Sequence, residues 1–185
     1  MQNKMLRQTG DIQKDREQIL AYMKTRRDDV PGYIRLLKHA YQLYRRKAAT
    51  RLGEIGDKRA VVPLIRALDD ESLDVQYVTV KSLGMLGDKR AVEPLIRCLT
   101  SEEKWLRRGA ARSLGQIGDP RAVDPLIPLL KDDYHDVCAH TAWALGELGD
   151  PKAIEPLTHL LDDERKDVKK AAEEAVAKLK KIQES

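Results

Sequence analysis

Leu83-Gly84-Met85-Leu86-Gly87-Asp88 is one of four near-copies of a single block. The others are Leu52-Gly53-Glu54-Ile55-Gly56-Asp57, Leu114-Gly115-Gln116-Ile117-Gly118-Asp119 and Leu145-Gly146-Glu147-Leu148-Gly149-Asp150, at an unvarying step of 31 residues. A strict period of this length marks one supersecondary unit stacked on its own copies, each burying an apolar face only against its neighbours. Such a chain presents extended surface rather than an enclosed pocket, so its function is sought on exposed faces.

Working outward from Gly87 resolves one unit. Asp57 is placed to cap a first turn, and Ala60 to Leu68 carries apolar residues at the spacing of a short amphipathic helix. Pro63, which has no amide hydrogen, is expected to kink or restart that helix. Asp69-Asp70-Glu71-Ser72 makes a turn, and Val75 to Leu86 makes a second helix with Val75, Thr79, Val80, Leu83 and Leu86 inward. Gly84 permits close approach of the next helix, and Gly87 ends its own helix in the left-handed conformation that glycine adopts cheaply.

The same template returns from Lys89, Pro120 and Pro151. Stepping back by 31 gives a degenerate earlier copy, in which Tyr33-Ile34-Arg35-Leu36-Leu37 falls on Leu64-Ile65-Arg66-Ala67-Leu68 and Tyr44 on Val75. The last unit keeps Val168, Ala172, Val176 and Leu179 as an inward stripe but lacks the closing glycine, as a terminal capping unit should. The expected architecture is all-α, an alpha-alpha superhelix of about five helical pairs with repeats near 26–56, 57–87, 88–118, 119–149 and 150–185. Residues 1–25 stand outside the repeat. Ile12, Ile19, Leu20 and Met23 lie near helical spacing there, which predicts a capping helix, with a mobile basic arm as the alternative.

Composition narrows the class. Phe is absent and aromatics are 4% of the chain, so Leu, Ile, Val and Ala must build the interior and any surface aromatic stands out. Cys98 and Cys138 are the two cysteines, with no spacing suggestive of a disulfide framework or a metal knuckle. No apolar run approaches a membrane span and no secretory signal is visible, so a cytoplasmic protein is expected. Residues 1–59 hold 15 Lys/Arg against 7 Asp/Glu, a balance of +8, and the remainder holds 19 against 23, a balance of −4. The charge is therefore polarised along the chain.

The signature Gly-Asp-x-Arg-Ala-Val-x-Pro-Leu-Ile, read at Gly87 to Ile96 and Gly118 to Ile127, resembles the HEAT-like repeat of phycobilin lyase subunits. Copies cover residues near 26 to 183. The resemblance implies a right-handed superhelix whose second helices line a concave side that most often binds other proteins. Some relatives attach or remove bilin pigments, and others hydroxylate deoxyhypusine with iron held by His-Glu pairs. This chain has no His-Glu dipeptide, which argues against the iron-dependent branch.

If the second helices line the groove, their outward positions form the candidate site. Residues 74, 77, 78, 81 and 85 are separated by threes and fours and share a helical face. Across the copies these positions yield Tyr77, Lys81, Lys104, Trp105, Arg108, Arg112, His140, Trp143 and Glu147. Both tryptophans fall in this set beside two arginines, the composition of an interface hot spot. The competing reading is structural, with Trp143 stacked on Arg112 and Trp105 covering a seam between repeats. Lys38, Arg45, Arg46, Lys47 and Arg51 form a second candidate, a basic patch for an acidic protein surface or nucleic-acid phosphates, although such clusters are commonly solvated helix faces.

Enzymatic signals are weak. His135 and His140 are five apart and so diverge by about 140° on a helix, unlike a metal-binding i, i+4 pair. Cys138 and His140, two apart, also point in different directions. The glycine-containing steps follow helices rather than strands, the wrong context for a phosphate loop. The reading is a protein-binding scaffold, adaptor or assembly factor acting without cofactor or metal. Nucleic-acid or ribosome-associated binding through the basic half and a bilin lyase-like subunit are the alternatives.

Overall fold

The computed structural model describes residues 12–184, leaving the start of the N-terminal segment outside the description. The elements are α1 (Ile12–Thr25), α2 (Val30–Leu36), α3 (Gln42–Ile55), α4 (Val61–Ala67), α5 (Leu73–Leu86), α6 (Val92–Cys98), α7 (Lys104–Ile117), α8 (Val123–Leu126), α9 (His135–Leu148), α10 (Ile154–Thr158) and α11 (Lys166–Gln183). No strand occurs among the described residues. After α1 the helices run as five pairs, a short first helix and a longer second one, which is the all-α solenoid expected from the 31-residue period. Contacts divide the chain into two compact units, one ending at Ser82 and one beginning at Leu83, with the division inside α5.

Each residue of the repeated block has a distinct physical task. The leading leucines Leu52, Leu83, Leu114 and Leu145 are fully buried, and each such side chain contributes about 2 kcal/mol of burial. The first glycine allows helix-to-helix contact. A methyl at Gly146 would sit 2.9 Å from Ala175 Cβ, and one at Gly53 would sit 2.8 Å from Ser82 Cα. The second glycine closes the helix at φ between +61° and +78°, with its N–H donating to the carbonyl of the leading leucine. The aspartate then caps the next unit: Asp57, Asp88, Asp119 and Asp150 each accept from the backbone N–H two residues on.

A single 3-10 turn leads into each first helix from α4 onward, as in Lys58–Ala60, and Pro63 lies in the first turn of α4. The proline therefore restarts the helix at a position where its missing N–H has no intrahelical partner to lose. Ala60, Ala91, Ala122 and Ala153 at the ends of these turns are fully buried. The inward stripe of α5 and that of α11 are buried as expected.

In the first unit α1 lays Ile19 and Tyr22 against the first pair. Tyr22 donates to Asp29 Oδ2 at 2.7 Å, its ring lies 6.0 Å from that of Tyr33, and burial raises its pKa. Leu20, one of the apolar residues near helical spacing in this segment, is exposed. Tyr22 takes the inward place instead, a position that a purely aliphatic reading of the stripe passes over.

Candidate functional site

In the second unit α7, α9 and α11 carry equivalent outward positions, and side chains join them across the repeats. Arg108 Nη1 lies 3.4 Å from Asp136 Oδ2, the Arg112 guanidinium lies 5.4 Å from the Trp143 ring centre, and Lys178 Nζ lies 2.7 Å from Glu147 Oε2. His135 Nδ1 meets Asp167 Oδ2 at 2.5 Å. The hydrogen bond to Asp167 raises the His135 pKa above its usual 6.5 and lowers that of Asp167.

The aromatic part of this face is built at the starts of α7 and α9. Trp105 is 48% exposed, with the Arg108 guanidinium 4.7 Å and Lys104 Nζ 5.1 Å from its ring centre. Tyr134, the residue preceding α9, is also exposed. Lys104 Nζ lies 4.3 Å over its ring, so the ammonium stands between the two aromatics. Cation–ring pairs at exposed sites contribute about 0.5–1 kcal/mol each and hold the rings in place. Val137 and Asp136 complete a small cleft beneath them. Tyr134 was missed from sequence because it precedes the helix whose outward positions were counted. Its signal was its aromaticity in an aromatic-poor chain.

Trp143 makes the stacking contact with Arg112 that the structural reading expects. It is half-buried, packs on Arg112, and its Cζ3 lies 3.0 Å from where a methyl on Gly115 would be. His140 is half-buried, with Nδ1 2.8 Å from the Asp136 carbonyl. Tyr77 and Lys81 belong to the first unit, where Lys81 Nζ lies 5.8 Å from the Tyr77 ring.

The basic patch divides. Arg45, expected at the surface, is 6% exposed and turned inward. It donates to the carbonyls of His39 and Ala40 at 2.8 Å, to both oxygens of Asp70 at 2.7 and 2.9 Å, and to Glu71 at 2.9 Å. Burial tends to raise the Asp70 pKa, but the bonds from Arg45 and from the Ser72 N–H outweigh it and hold the carboxyl below its usual range. Arg107 repeats this clasp on Asp132 and on the carbonyls of Ser101 and Glu102. Gln76 and Cys138 occupy the same register, and each donates to the carbonyl six residues earlier. Burial raises the Cys138 thiol pKa, and the thiol donates to the Asp132 carbonyl at 3.0 Å while His140 Nδ1 meets the Asp136 carbonyl. The aspartate pairs are thus more than turn residues: Asp70 anchors the buried Arg45 guanidinium and Asp132 the partly buried Arg107, and Asp163, pulled down to about 2 by hydrogen bonds from Arg165, holds the equivalent turn.

Arg46, Lys47 and Arg51 do come together. With Arg27 they line an open cleft of about 500 Å³ in the first unit, whereas Lys38 lies outside it. A second cleft of about 470 Å³, which the sequence did not reveal, lies between the 3-10 turn Ile127–Lys131 and α10, with Leu130, Pro156 and Leu160 in its lining. His135, Asp136 and Asp167 hold donor atoms within 4.8 Å of one another and could accept a divalent cation. The direct His135–Asp167 bond and the adjacent Arg108 account for these side chains without an ion.

These observations define an all-helical repeat solenoid with a charged and aromatic face on its second helices. The chain belongs to the HEAT-repeat family, whose pattern it matches over residues 30–113 and 95–177. It is similar to the complex of CpcE and CpcF of phycocyanin lyase from Nostoc sp. PCC7120, at 28% identity and a TM-score of 0.76 over 82% of this chain and 65% of that one. The chain thus spans just under two thirds of the length of that lyase chain. It is also similar in fold to a designed armadillo repeat protein in complex with the peptide (KR)4, at 19% identity and a TM-score of 0.71 over 95% and 96% of the two chains. An engineered protein matches at 20% identity and a TM-score of 0.69 over 96% and 94%. A search of curated proteins finds no match. Among the described residues no helix is long and apolar enough to cross a membrane.

Proposed function

We propose that this chain is a protein-binding scaffold, adaptor or assembly factor that works by complementarity rather than by a reaction of its own. The observation that carries the proposal is the exposed pair Trp105 and Tyr134, held on either side of Lys104 and beside Arg108 on the second helices of a HEAT array. Large rings already restrained by stacked cations lose little rotamer freedom on binding, and flanking guanidiniums add directional hydrogen bonds. Glu147, Lys178 and His135 supply a polar rim of both signs. Similarity to repeat proteins whose structures were solved as complexes is consistent with this use of the fold.

Affinity capture with the full chain tests the proposal. Trp105→Ala combined with Tyr134→Ala should lose the captured partner with helicity unchanged, whereas Arg97→Ala on a first helix should retain it. Equal capture by all three proteins would refute the assigned face. Recovery of nucleic acid, weakening with salt, would transfer the function to the basic half.

A second reading, a bilin lyase-like subunit, is favoured by the 28% identity to the phycocyanin lyase complex. Co-expression with a bilin and an absorbance spectrum of the purified protein tests it. A colourless product in the presence of pigment would remove this reading.

A further inference from the structure

The open cleft of the first unit is a different surface from the Trp105 face. It is lined by Arg27 after α1, by Arg46, Lys47, Thr50, Arg51 and Glu54 of α3, and by Met23, Tyr33 and Val78. Four cations thus face one carboxylate. Arg51 is already committed: it donates to Glu54 Oε2 at 2.9 Å and to the Arg27 carbonyl at 2.9 Å. Arg27, Arg46 and Lys47 are exposed and form no ion pair with a carboxylate among the described residues. On α3, Arg46 and Thr50 are one turn apart, as are Lys47 and Arg51, so the cations form a two-column strip along one side of the cleft. The +8 balance of residues 1–59 adds a long-range field of the same sign.

We propose that this cleft binds an acidic peptide segment of a partner protein, its carboxylates on Arg27, Arg46 and Lys47 and an intervening aliphatic side chain on Met23 and Val78. The apolar lining favours a peptide whose acidic residues alternate with aliphatic ones, since both kinds of surface are then matched. Thr50 donates its hydroxyl to the Arg46 carbonyl at 3.0 Å, which leaves its oxygen able to accept a peptide N–H. The Glu54 carboxylate offers a second acceptor and would repel a continuous phosphate backbone. Single-stranded nucleic acid also depends on aromatic faces for base stacking. The sole aromatic of the cleft, Tyr33, is 1% exposed with its hydroxyl donating to the Met23 carbonyl, so it offers no such face. The observations therefore favour peptide over nucleic acid.

Fluorescence anisotropy with the full chain tests the proposal, using labelled short peptides of alternating Glu and Leu, their Lys and Leu counterparts, and oligothymidylate. The acidic peptide should bind saturably and more weakly as salt rises. Arg46→Glu with Lys47→Glu should weaken it by at least about tenfold, a loss of roughly 1.4 kcal/mol. Trp105→Ala should leave it unchanged, because this site does not depend on the Trp105 reading. If the charge reversal disturbs helicity, amide shifts in the unaltered chain decide, and the proposal places them at Arg46, Lys47, Thr50 and Val78. Failure of the acidic peptide to bind, shifts centred elsewhere, binding indifferent to the charge reversal, or tighter binding of oligothymidylate through the same residues would overturn the proposal.

Discussion

Replacing Gly115 by alanine probes the close approach of helices on which the stack depends. A methyl there would lie 2.8 Å from Ala144 Cα, 2.9 Å from Ala144 Cβ and 3.0 Å from Trp143 Cζ3. The first of these is backbone, so no rotamer change relieves it. Restoring an ordinary 3.4 Å contact from 2.8 Å requires α7 and α9 to part by about 0.6 Å. Overpacking of this kind costs about 1–3 kcal/mol, and the better helix propensity of alanine returns up to about 1 kcal/mol. The expected net loss is about 1 kcal/mol. Gly118→Ala should cost a similar amount for another reason, since nothing lies near its added methyl but φ is +72°. Asparagine separates the two causes. Gly118→Asn should be milder than Gly118→Ala, because Asn tolerates the left-handed region, whereas Gly115→Asn should be much worse than Gly115→Ala. Urea unfolding followed by far-UV circular dichroism measures all four. A Gly115→Ala protein as stable as the parent, or the same ranking of Ala and Asn at both sites, would refute the reasoning.

Further outcomes follow from buried polar groups. The Oγ1 atoms of Thr79 and Thr141 are buried with no hydrogen-bond partner among the described residues, and alanine fills the same register at positions 48, 110 and 172. Thr141→Val, which exchanges the hydroxyl for a methyl, should therefore stabilise by about 1 kcal/mol in the same urea experiment. Arg107→Ala leaves Asp132, whose side chain is 8% exposed, with the Tyr134 N–H but no guanidinium, and should cost about 3 kcal/mol. Arg59→Ala, which opens an exposed pair with Asp57, should leave the urea midpoint close to that of the parent, because solvent screens the pair. An NMR titration should place the His135 pKa above 6.5, with Asp167→Asn returning it toward that value. Because the His135 value is raised and the Asp167 value lowered in the folded chain, the pair contributes fully between about pH 3.8 and 6.5, and loses its contribution as pH rises through the folded His135 pKa or falls through the folded Asp167 pKa.

The helix pairs, their caps and their core were legible because each task falls to one residue type at a fixed step. Glycine alone suits both the contact at Gly115 and the positive φ at Gly118, and aspartate suits the capping turn. The guanidinium clasps were not legible. Arg45 adjoins Arg46 and Lys47, so it read as one charge of a surface run, and its partner Asp70 is 25 residues away beyond a turn. The available signal was the register: Arg45, Gln76, Arg107 and Cys138 are 31 apart, and a buried-type residue such as cysteine in that column indicates an inward position. The outward face was only partly legible. Helical spacing isolated Trp105 and Arg108, whereas the division between an exposed Trp105 and a packed Trp143 depends on how closely Gly115 admits α9.

The central functional claim is that partners meet the outward face of the second helices. Site-specific photo-crosslinking tests it most directly, with a benzophenone side chain placed at position 105 or, as control, at position 97. The account predicts a discrete protein adduct from position 105 that disappears when Tyr134 and Arg108 are also replaced, and none from position 97. Adducts from position 97 alone, or equal labelling from both, would contradict it.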